Sequence, residues 1–421
     1  MKLTNITLKN YKGIQNLNVS FKPGVNLVIG NNGAGKTSLL SGASVAISKI
    51  FGWLHIPVKD ISQEDIYVTE EDSGDATSNL LYHMPVEIAS DICINDNTFH
   101  NNIVIKKNES SVTSTTDVAI LKYIKNLVDS NLQLPLVSFQ NAGRGTVKYS
   151  GKKNITLKQG KTERIAGYKG AFDKSMNFDD IENWCLRMDF AEYQNKKEVR
   201  EYKLFKSIVS SFISFLQDKA IDPKVYYSSV WGSLVYCENG QETPFYNLSA
   251  GFQSVLCMAM ELAYRAALLN PELTDEKTLE GIVLIDEIEM HLHPAWQWKI
   301  VGALQNTFPK VQFIIATHSP IILSSAKDAS ILLMKSVNEI VALDNAFGYR
   351  INDVLSLRQG TKDMPEEISA YYDKIENLLD PYDEKGLSLL QASVNEKYGK
   401  DSHVSKMIND FIEVNKWIEE A

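Results

Sequence analysis

The stretch "VNLVIGNNGAGKTSLL", residues 25–40, sets a nearly continuous apolar run directly before a glycine-rich loop and a helix-forming segment. A run of that kind suits a strand buried on both faces, as in a parallel sheet covered by helices. The loop of Gly30, Asn31, Asn32, Gly33, Ala34, Gly35, Lys36, Thr37 and Ser38 fits the spacing G-x-x-x-x-G-K-[ST]. It also has the strand before and the helix after that the pattern requires. Glycines let the backbone wrap close to phosphates, so that amide N–H groups point inward, and the following helix adds its N-terminal dipole. That dipole is worth only about 0.3–1 kcal/mol at an exposed site, so neutralisation falls mainly to Lys36 and a magnesium ion. Lys36 would reach the β- and γ-phosphates of a nucleotide such as ATP, and Thr37 would ligate Mg²⁺ through its hydroxyl. A glycine-rich turn that matches by chance is the competing reading, and the flanking pattern argues against it.

The totals bound the rest. In 421 residues, 44% are apolar and 23% charged, enough for a sizeable core and room for more than one domain. A net charge of −9 argues against indiscriminate coating of DNA, although a local basic groove is compatible with it. Cys93, Cys185, Cys237 and Cys257 are scattered without a CxxC pair, which reads as reduced core thiols in a cytoplasmic protein. No apolar run is long enough to span a bilayer, so no membrane contact is expected.

Along the chain, "LTNITLKNY" and "LNVSF" read as strands before the loop, and residues 37–54 follow it with helical spacing. From about 57 to 245 the pattern turns irregular, and this stretch is expected as a large inserted lobe. Within it, "PLVSFQ" (135–140) reads as a strand, and a long helical stretch begins at Asp179. Residues 60–75 hold seven acids and no base, a solvated rim. Residues 144–169 hold eight Lys or Arg against Glu163 alone. That density fits a solvated insertion; the alternative is a contact to DNA, RNA or an acidic partner, with phosphate backbones favouring Lys and Arg through counterion release. Order returns with the helix "QSVLCMAMELAYRAALLNP" and the strands "GIVLID", "VQFIIAT" and "SILLM". Residues 1–345 are therefore expected as one head split by the insertion. Residues 346–421 read as a helical region that caps the head or docks a partner.

"LIDEIEMHLHP", residues 284–294, carries the second cluster of chemistry. Asp286 and Glu287 end a buried strand, where a P-loop enzyme keeps the carboxylate that holds Mg²⁺ through water and the carboxylate that polarises the attacking water. A protein-held transition metal on Glu289, His291 and His293 is the rival. Histidines two apart fall on different faces of a helix, unlike the His-E-x-x-His spacing of helical zinc sites. The alternative is that these histidines shape a turn stopped by Pro294. His318 lies just past another buried strand, where it could contact a γ-phosphate or be merely structural.

With "FYNLSAGFQS" (245–254) added, the set resembles the ATP-binding-cassette (ABC) class. The resemblance implies an α/β head with a mixed sheet flanked by helices, two protomers closing head-to-tail on ATP and Mg²⁺, and a signature motif at Ser249, Ala250 and Gly251. Ala250 stands where the common signature has glycine. It also implies His318 as the switch histidine and Gln140 as the glutamine joining Mg²⁺ to the insertion; for Gln140 a plain strand-end polar residue is the alternative. About two hundred residues separate Lys36 from Ser249, far more than in transporter ATPases. "ITLKNYKGI" resembles the opening of the RecF, SMC and OLD-like group, with Lys12 where that group has an arginine contacting phosphate. No Toprim pattern follows His318. The chain thus resembles the compact ABC-class AAA ATPases of Septu and retron anti-phage defence systems, which work beside a separate effector, often an HNH-type nuclease. A RecF-like DNA clamp, and a nuclease using the acids at 284–294, are the other functional readings.

Overall fold

The computed structural model describes residues 1–71, 79–95, 97–106, 113–141, 164–172, 178–217, 223–354, 366–379 and 383–420. Residues 144–163 of the basic stretch, with Asp72 and Asp75 of the acidic one, lie outside the described residues. In chain order, β1 (Lys2–Tyr11) and β2 (Ile14–Ser20) form an antiparallel hairpin, and β3 (Val25–Gly30) runs into the glycine-rich loop and α1 (Lys36–Phe51). A small hairpin of β4 (Val68–Glu71) and β5 (Asn79–Tyr82) follows, then β6 (Val86–Ile94), β7 (Asn97–Ile105) and β8 (Thr113–Thr116). Next come α2 (Val118–Asp129), β9 (Leu136–Gln140), α3 (Phe178–Asn195) and α4 (Arg200–Gln217). β10 (Lys224–Ser228), β11 (Ser233–Glu238) and β12 (Gln241–Pro244) make an antiparallel three-stranded sheet before α5 (Ala250–Leu269). The head ends with β13 (Gly281–Ile285), α6 (Pro294–Gln297), α7 (Ile300–Thr307), β14 (Val311–Ala316), α8 (Pro320–Ser325), β15 (Ser330–Ser336) and β16 (Glu339–Leu343).

The continuous apolar runs do what burial on two faces demands. β3, β13 and β14 are almost wholly buried and pair in parallel inside a six-stranded sheet of order β16-β15-β3-β14-β13-β9. Only β16 runs antiparallel, so the sheet is mixed. The second large sheet, β2-β1-β6-β7-β8, is antiparallel, and β6 buries alternate residues as a sheet with one covered face requires. α1 lies between the two sheets, touching β1, β6, β7 and β8 on one side and β3, β13 and β14 on the other. Thirteen of its sixteen residues are buried, leaving it almost no solvent face. Gly42 allows this approach: a Cβ there would stand 2.6 Å from Leu8 Cδ2.

The stretch 57–245, expected as an insertion, supplies strands to both large sheets. β6–β8 extend the β1–β2 hairpin, and β9 pairs with β13 at the edge of the parallel sheet. Two compact units result, residues 1–354 and 355–421. Ala346 and Val354, expected in the helical tail, are fully buried in the core of the first unit. In the second unit, helices Glu366–Leu379, Glu384–Tyr398 and His403–Glu420 enclose Ile375, Leu387, Val394, Val404, Ile408 and Ile412. α5 is long and apolar enough to cross a membrane by composition, but it is 83% buried inside the protein, as a core helix is.

Gly281 opens β13 where no side chain fits: a Cβ would lie 1.8 Å from the Leu136 carbonyl oxygen of β9. Gly281→Ala should cost about 2–5 kcal/mol through strain and overpacking. Calorimetry should show the main unfolding transition moving down in temperature; an unchanged transition would contradict this packing of β9 on β13.

Candidate functional site

Because β3, β13, β14 and β9 run parallel, their C-terminal ends converge at one edge of the sheet. In open α/β sheets that is where ligands bind. β3 delivers the glycine-rich loop there. Gly33 and Gly35 hold φ of +80° and +98°, and Gly35 caps α1 in the left-handed region that glycine enters without strain. Asn31, Asn32, Gly33 and Thr37 are exposed, Gly30, Gly35 and Ser38 half-buried, and Ala34 buried. Lys36 folds back over the loop, donating from Nζ to the carbonyls of Gly30 (2.9 Å) and Asn31 (3.0 Å).

β13 brings Asp286 to the same edge. Thr37 Oγ1 donates to Asp286 Oδ2 at 2.9 Å, joining the loop to a residue 249 positions away. Glu287 follows in the left-handed region at φ +48°, which turns its side chain away from the strand's alternation. Burial lowers the proton affinity of the Lys36 ammonium, while Asp286, Glu289 and Glu287 oppose that shift, in descending order. The site is therefore a buried lysine balanced by three carboxylates. A polyanion with a divalent cation suits this balance, because it adds charge of both signs.

His318 sits past the end of β14. Burial pushes its proton affinity below the usual histidine range, and the Lys36 charge pushes it further against the pull of Glu289, Glu287 and Asp286. Its main-chain N–H donates to Glu289 Oε1, whose other oxygen accepts from Thr317 Oγ1 at 2.8 Å. The three residues of the rival metal reading part company. Glu289 binds the Thr317–His318 segment, His291 turns the chain at φ +64°, and His293 Nδ1 caps α6 by accepting from Ala295 N–H. Among the described residues no group of three or more His, Cys, Asp or Glu could hold a metal ion.

Gln140 ends β9 fully buried. Its side-chain amide donates to Ser138 Oγ (3.0 Å), and its main-chain carbonyl accepts from Asp286 N–H (2.8 Å). Its Oε1 has no hydrogen-bond partner. The Thr37 hydroxyl, the Asp286 carboxylate and this orphaned acceptor are hard oxygen donors of the sort Mg²⁺ takes, so the residue types present fit that ion. Lys12 lies in the β1–β2 turn with its Nζ 3.4 Å from Asp65 Oδ1, so the structure occupies its charge with a carboxylate. Its neighbour Tyr11 bonds Ser41 of α1 (2.9 Å), one turn beyond Thr37. Ser249 caps α5 by accepting from Phe252 N–H, and both Ser249 and Ala250 are exposed. A Cβ on Gly251 would stand 2.5 Å from the His291 carbonyl, so this glycine is where α5 rests on the turn after β13.

Three features escaped the sequence reading. Lys59 Nζ donates to Ser41 Oγ at 3.1 Å and lies over the Phe139 ring; nothing in its isolated position signalled this. Glu289 gave no sign of its partners Thr317 and His318 beyond β14. Glu261 and Arg265 form a fully desolvated pair on α5 (2.8 Å). Ser138 Oγ reaches the same carboxylate at 3.4 Å, and Arg265 also donates to the carbonyls of Gly167 and Lys169. Their i,i+4 spacing was the available signal, but it usually marks an exposed pair.

A family model described as an AAA domain matches residues 5–208, and a second AAA-domain family, whose description also names the AbiEii toxin and the type IV TA system, matches 196–324. The chain is 26% identical to the "Retron Vc95 probable ATPase" of Vibrio cholerae over 90% of this chain and 84% of that protein. It is 22% identical to the "Retron Ec83 probable ATPase" of Escherichia coli over 99% and 88%. With the Septu protein PtuA of Bacillus thuringiensis it shares 26% over 79% and 73%. Among solved structures, an SMC head bound to the C-terminal winged-helix domain of ScpA superposes with a TM-score of 0.52 at 15% identity. That match covers 82% of this chain and 98% of the SMC head. The chain has the α/β head of the ABC-class ATPases and resembles the retron and Septu ATPases.

His318 should titrate below its ordinary value of 6.5. Its unfolded form then binds a proton more readily, so this group's contribution to stability is complete above pH 6.5 and declines as pH falls towards the folded value. Imidazole NMR titration checks the value; titration at or above 6.5 would contradict the burial described. Arg265→Ala leaves Glu261 charged and buried, and should destabilise the head by about 3–5 kcal/mol. Denaturant unfolding measures this, and a loss below about 1 kcal/mol would count against a desolvated pair.

Proposed function

We propose that this chain is an ATPase of the ABC class that binds ATP with Mg²⁺, closes head-to-tail with a second copy, and regulates a separate effector in bacterial anti-phage defence. The observation that carries the reading is the Thr37–Asp286 bond at 2.9 Å, with Lys36 held on the loop carbonyls beside it. Those carbonyls keep the ammonium inside the loop, ready to exchange neutral acceptors for phosphate oxygens, which bind a cation more strongly. Thr37 and Asp286 would hold the metal, with Gln140 as a further oxygen donor once its amide leaves Ser138. Bound Mg²⁺ supplies charge neutralisation on the β- and γ-phosphates.

Glu287 orients and polarises the attacking water, from the strand end its left-handed backbone turns it towards. His318, neutral at pH 7, gives the γ-phosphate a hydrogen bond without adding a second buried cation next to Lys36. Ser249, Ala250 and Gly251 would meet the triphosphate bound by the other copy, and exposure of Ser249 and Ala250 suits that role. Lys12 adds a phosphate contact only by giving up Asp65. The likeness to retron and Septu ATPases supports a defence role in the cytoplasm and an effector such as an HNH-type nuclease. The basic segment 144–169 would contact DNA, RNA or an acidic partner.

Lys36→Ala should abolish binding of ATP–Mg²⁺ in equilibrium titration. Glu287→Gln should retain binding, lose turnover by about 10²–10⁴-fold, and accumulate a dimer seen by light scattering with ATP. Normal turnover in Glu287→Gln would remove Glu287 from its role. A wild-type chain that binds no ATP would overturn the nucleotide reading itself.

A further inference from the structure

The turn after β13 has two working ends. At one end, Glu289 spends both carboxylate oxygens on the segment that follows β14, taking the Thr317 hydroxyl at 2.8 Å and the His318 main-chain N–H. At the other, the His291 carbonyl lies against Gly251 at the start of α5, where a Cβ would come within 2.5 Å. Between them the turn is braced by Met290 N–H on the Glu287 carbonyl and Leu292 N–H on the Glu289 carbonyl, both 2.9 Å. The gripped segment is itself well tied down. Thr317 is fully buried with its N–H on the Val28 carbonyl of β3, and Thr317 Oγ1 accepts from Ser319 N–H at 3.0 Å. Ser319 Oγ donates to Gln297 Oε1 (2.6 Å), and Gln297 returns to the turn by donating to the Leu292 carbonyl (3.1 Å).

We infer that Glu289 is a positioning residue for hydrolysis: its carboxylate fixes the backbone at His318, aiming the imidazole past Lys36 at the terminal phosphate, and ties that aim to the turn on which α5 rests. This rests on the ATPase reading above. A carboxylate suits the post because both its partners are donors and it is an acceptor only. Glutamine at 289 keeps one carbonyl oxygen for the His318 N–H; alanine leaves both donors unmet in a half-buried site. The Glu289 charge also opposes the shifts that burial imposes on Lys36 and His318.

The test is a double-mutant cycle on the full-length protein: wild type, Glu289→Ala, Glu289→Gln, His318→Ala, and Glu289→Ala with His318→Ala. It is read by ATP–Mg²⁺ affinity, by kcat and KM, and by the NMR resonance of the His318 main-chain N–H. Misplacement by an ångström can cost roughly 10²-fold, so Glu289→Ala should lose about that much in kcat, with affinity within about threefold. Glu289→Gln should recover most of kcat. In the His318→Ala background, Glu289→Ala should change kcat by no more than about threefold. Equal losses in both backgrounds, parallel loss of affinity and kcat, or wild-type kcat in Glu289→Ala would each overturn the inference. If the wild type binds ATP without turnover, the ATPase reading alone falls. The NMR resonance of the His318 main-chain N–H then decides the positioning: displaced in Glu289→Ala and largely restored in Glu289→Gln supports it, and an unmoved resonance in Glu289→Ala overturns it.

Discussion

The structure turns on one hydrogen bond between residues distant in sequence, Thr37 Oγ1 to Asp286 Oδ2. It closes only if β3 and β13 run parallel, separated by β14 and in the register that sets Ile285, the last residue of β13, level with Leu27 of β3. That arrangement requires each strand to be covered on both faces, which fixes α1 between the two sheets and explains its almost complete burial. Covering α1 on its far side in turn requires the antiparallel sheet, and with it the strands drawn from the middle of the chain. Gly42 and Gly281 mark the two places where this layering leaves no room for a side chain.

The same convergence creates an electrostatic problem. A lysine buried at the start of α1, behind the glycine-rich loop, loses hydration, and the carbonyls of Gly30 and Asn31 return only part of it. Three carboxylates on the neighbouring strand end supply the rest. Buried charge of this kind must be balanced locally, and the same charges reach His318, whose proton affinity is lowered first by burial and then by Lys36. Each acid nevertheless has a different setting. Asp286 faces the Thr37 hydroxyl, Glu287 is carried aside by a left-handed backbone, and Glu289 reaches across to Thr317, just past β14.

How much of this was legible depends on the range of the interaction concerned. The glycine-rich loop, the strands β3, β13 and β14, and the helical spacing of α1 and α5 are local facts of period and composition, and they read directly from the chain. β9 was legible as "PLVSFQ" for the same reason. The five-stranded sheet was not, because β6–β8 read as irregular stretches and find β1 only through non-local pairing. Gln140 was placed at the correct strand end, but which way its amide points is decided by Ser138 and by the α5 residues behind it. Arg265 and Glu261 carried the spacing of an exposed pair; only the burial of α5 on every side turns them into a core ion pair.

The acids and histidines of residues 284–294 illustrate why proximity in sequence is a poor guide to a shared site. Five potential ligands stand within eight positions, yet the backbone distributes them. A strand end, two left-handed residues at Glu287 and His291, and a helix start at Pro294 send the side chains in separate directions. A metal cluster needs ligands converging on one point; a relay needs them diverging to different elements. Here the divergence is built into φ angles that cost energy for residues with a side chain. Glu289 then bonds this one turn to the Thr317–His318 segment after β14, and the His291 carbonyl packs closely on Gly251 of α5. A displacement of α5 against the turn therefore has a direct mechanical path to His318, through a hydrogen-bonded loop that is closed at both ends.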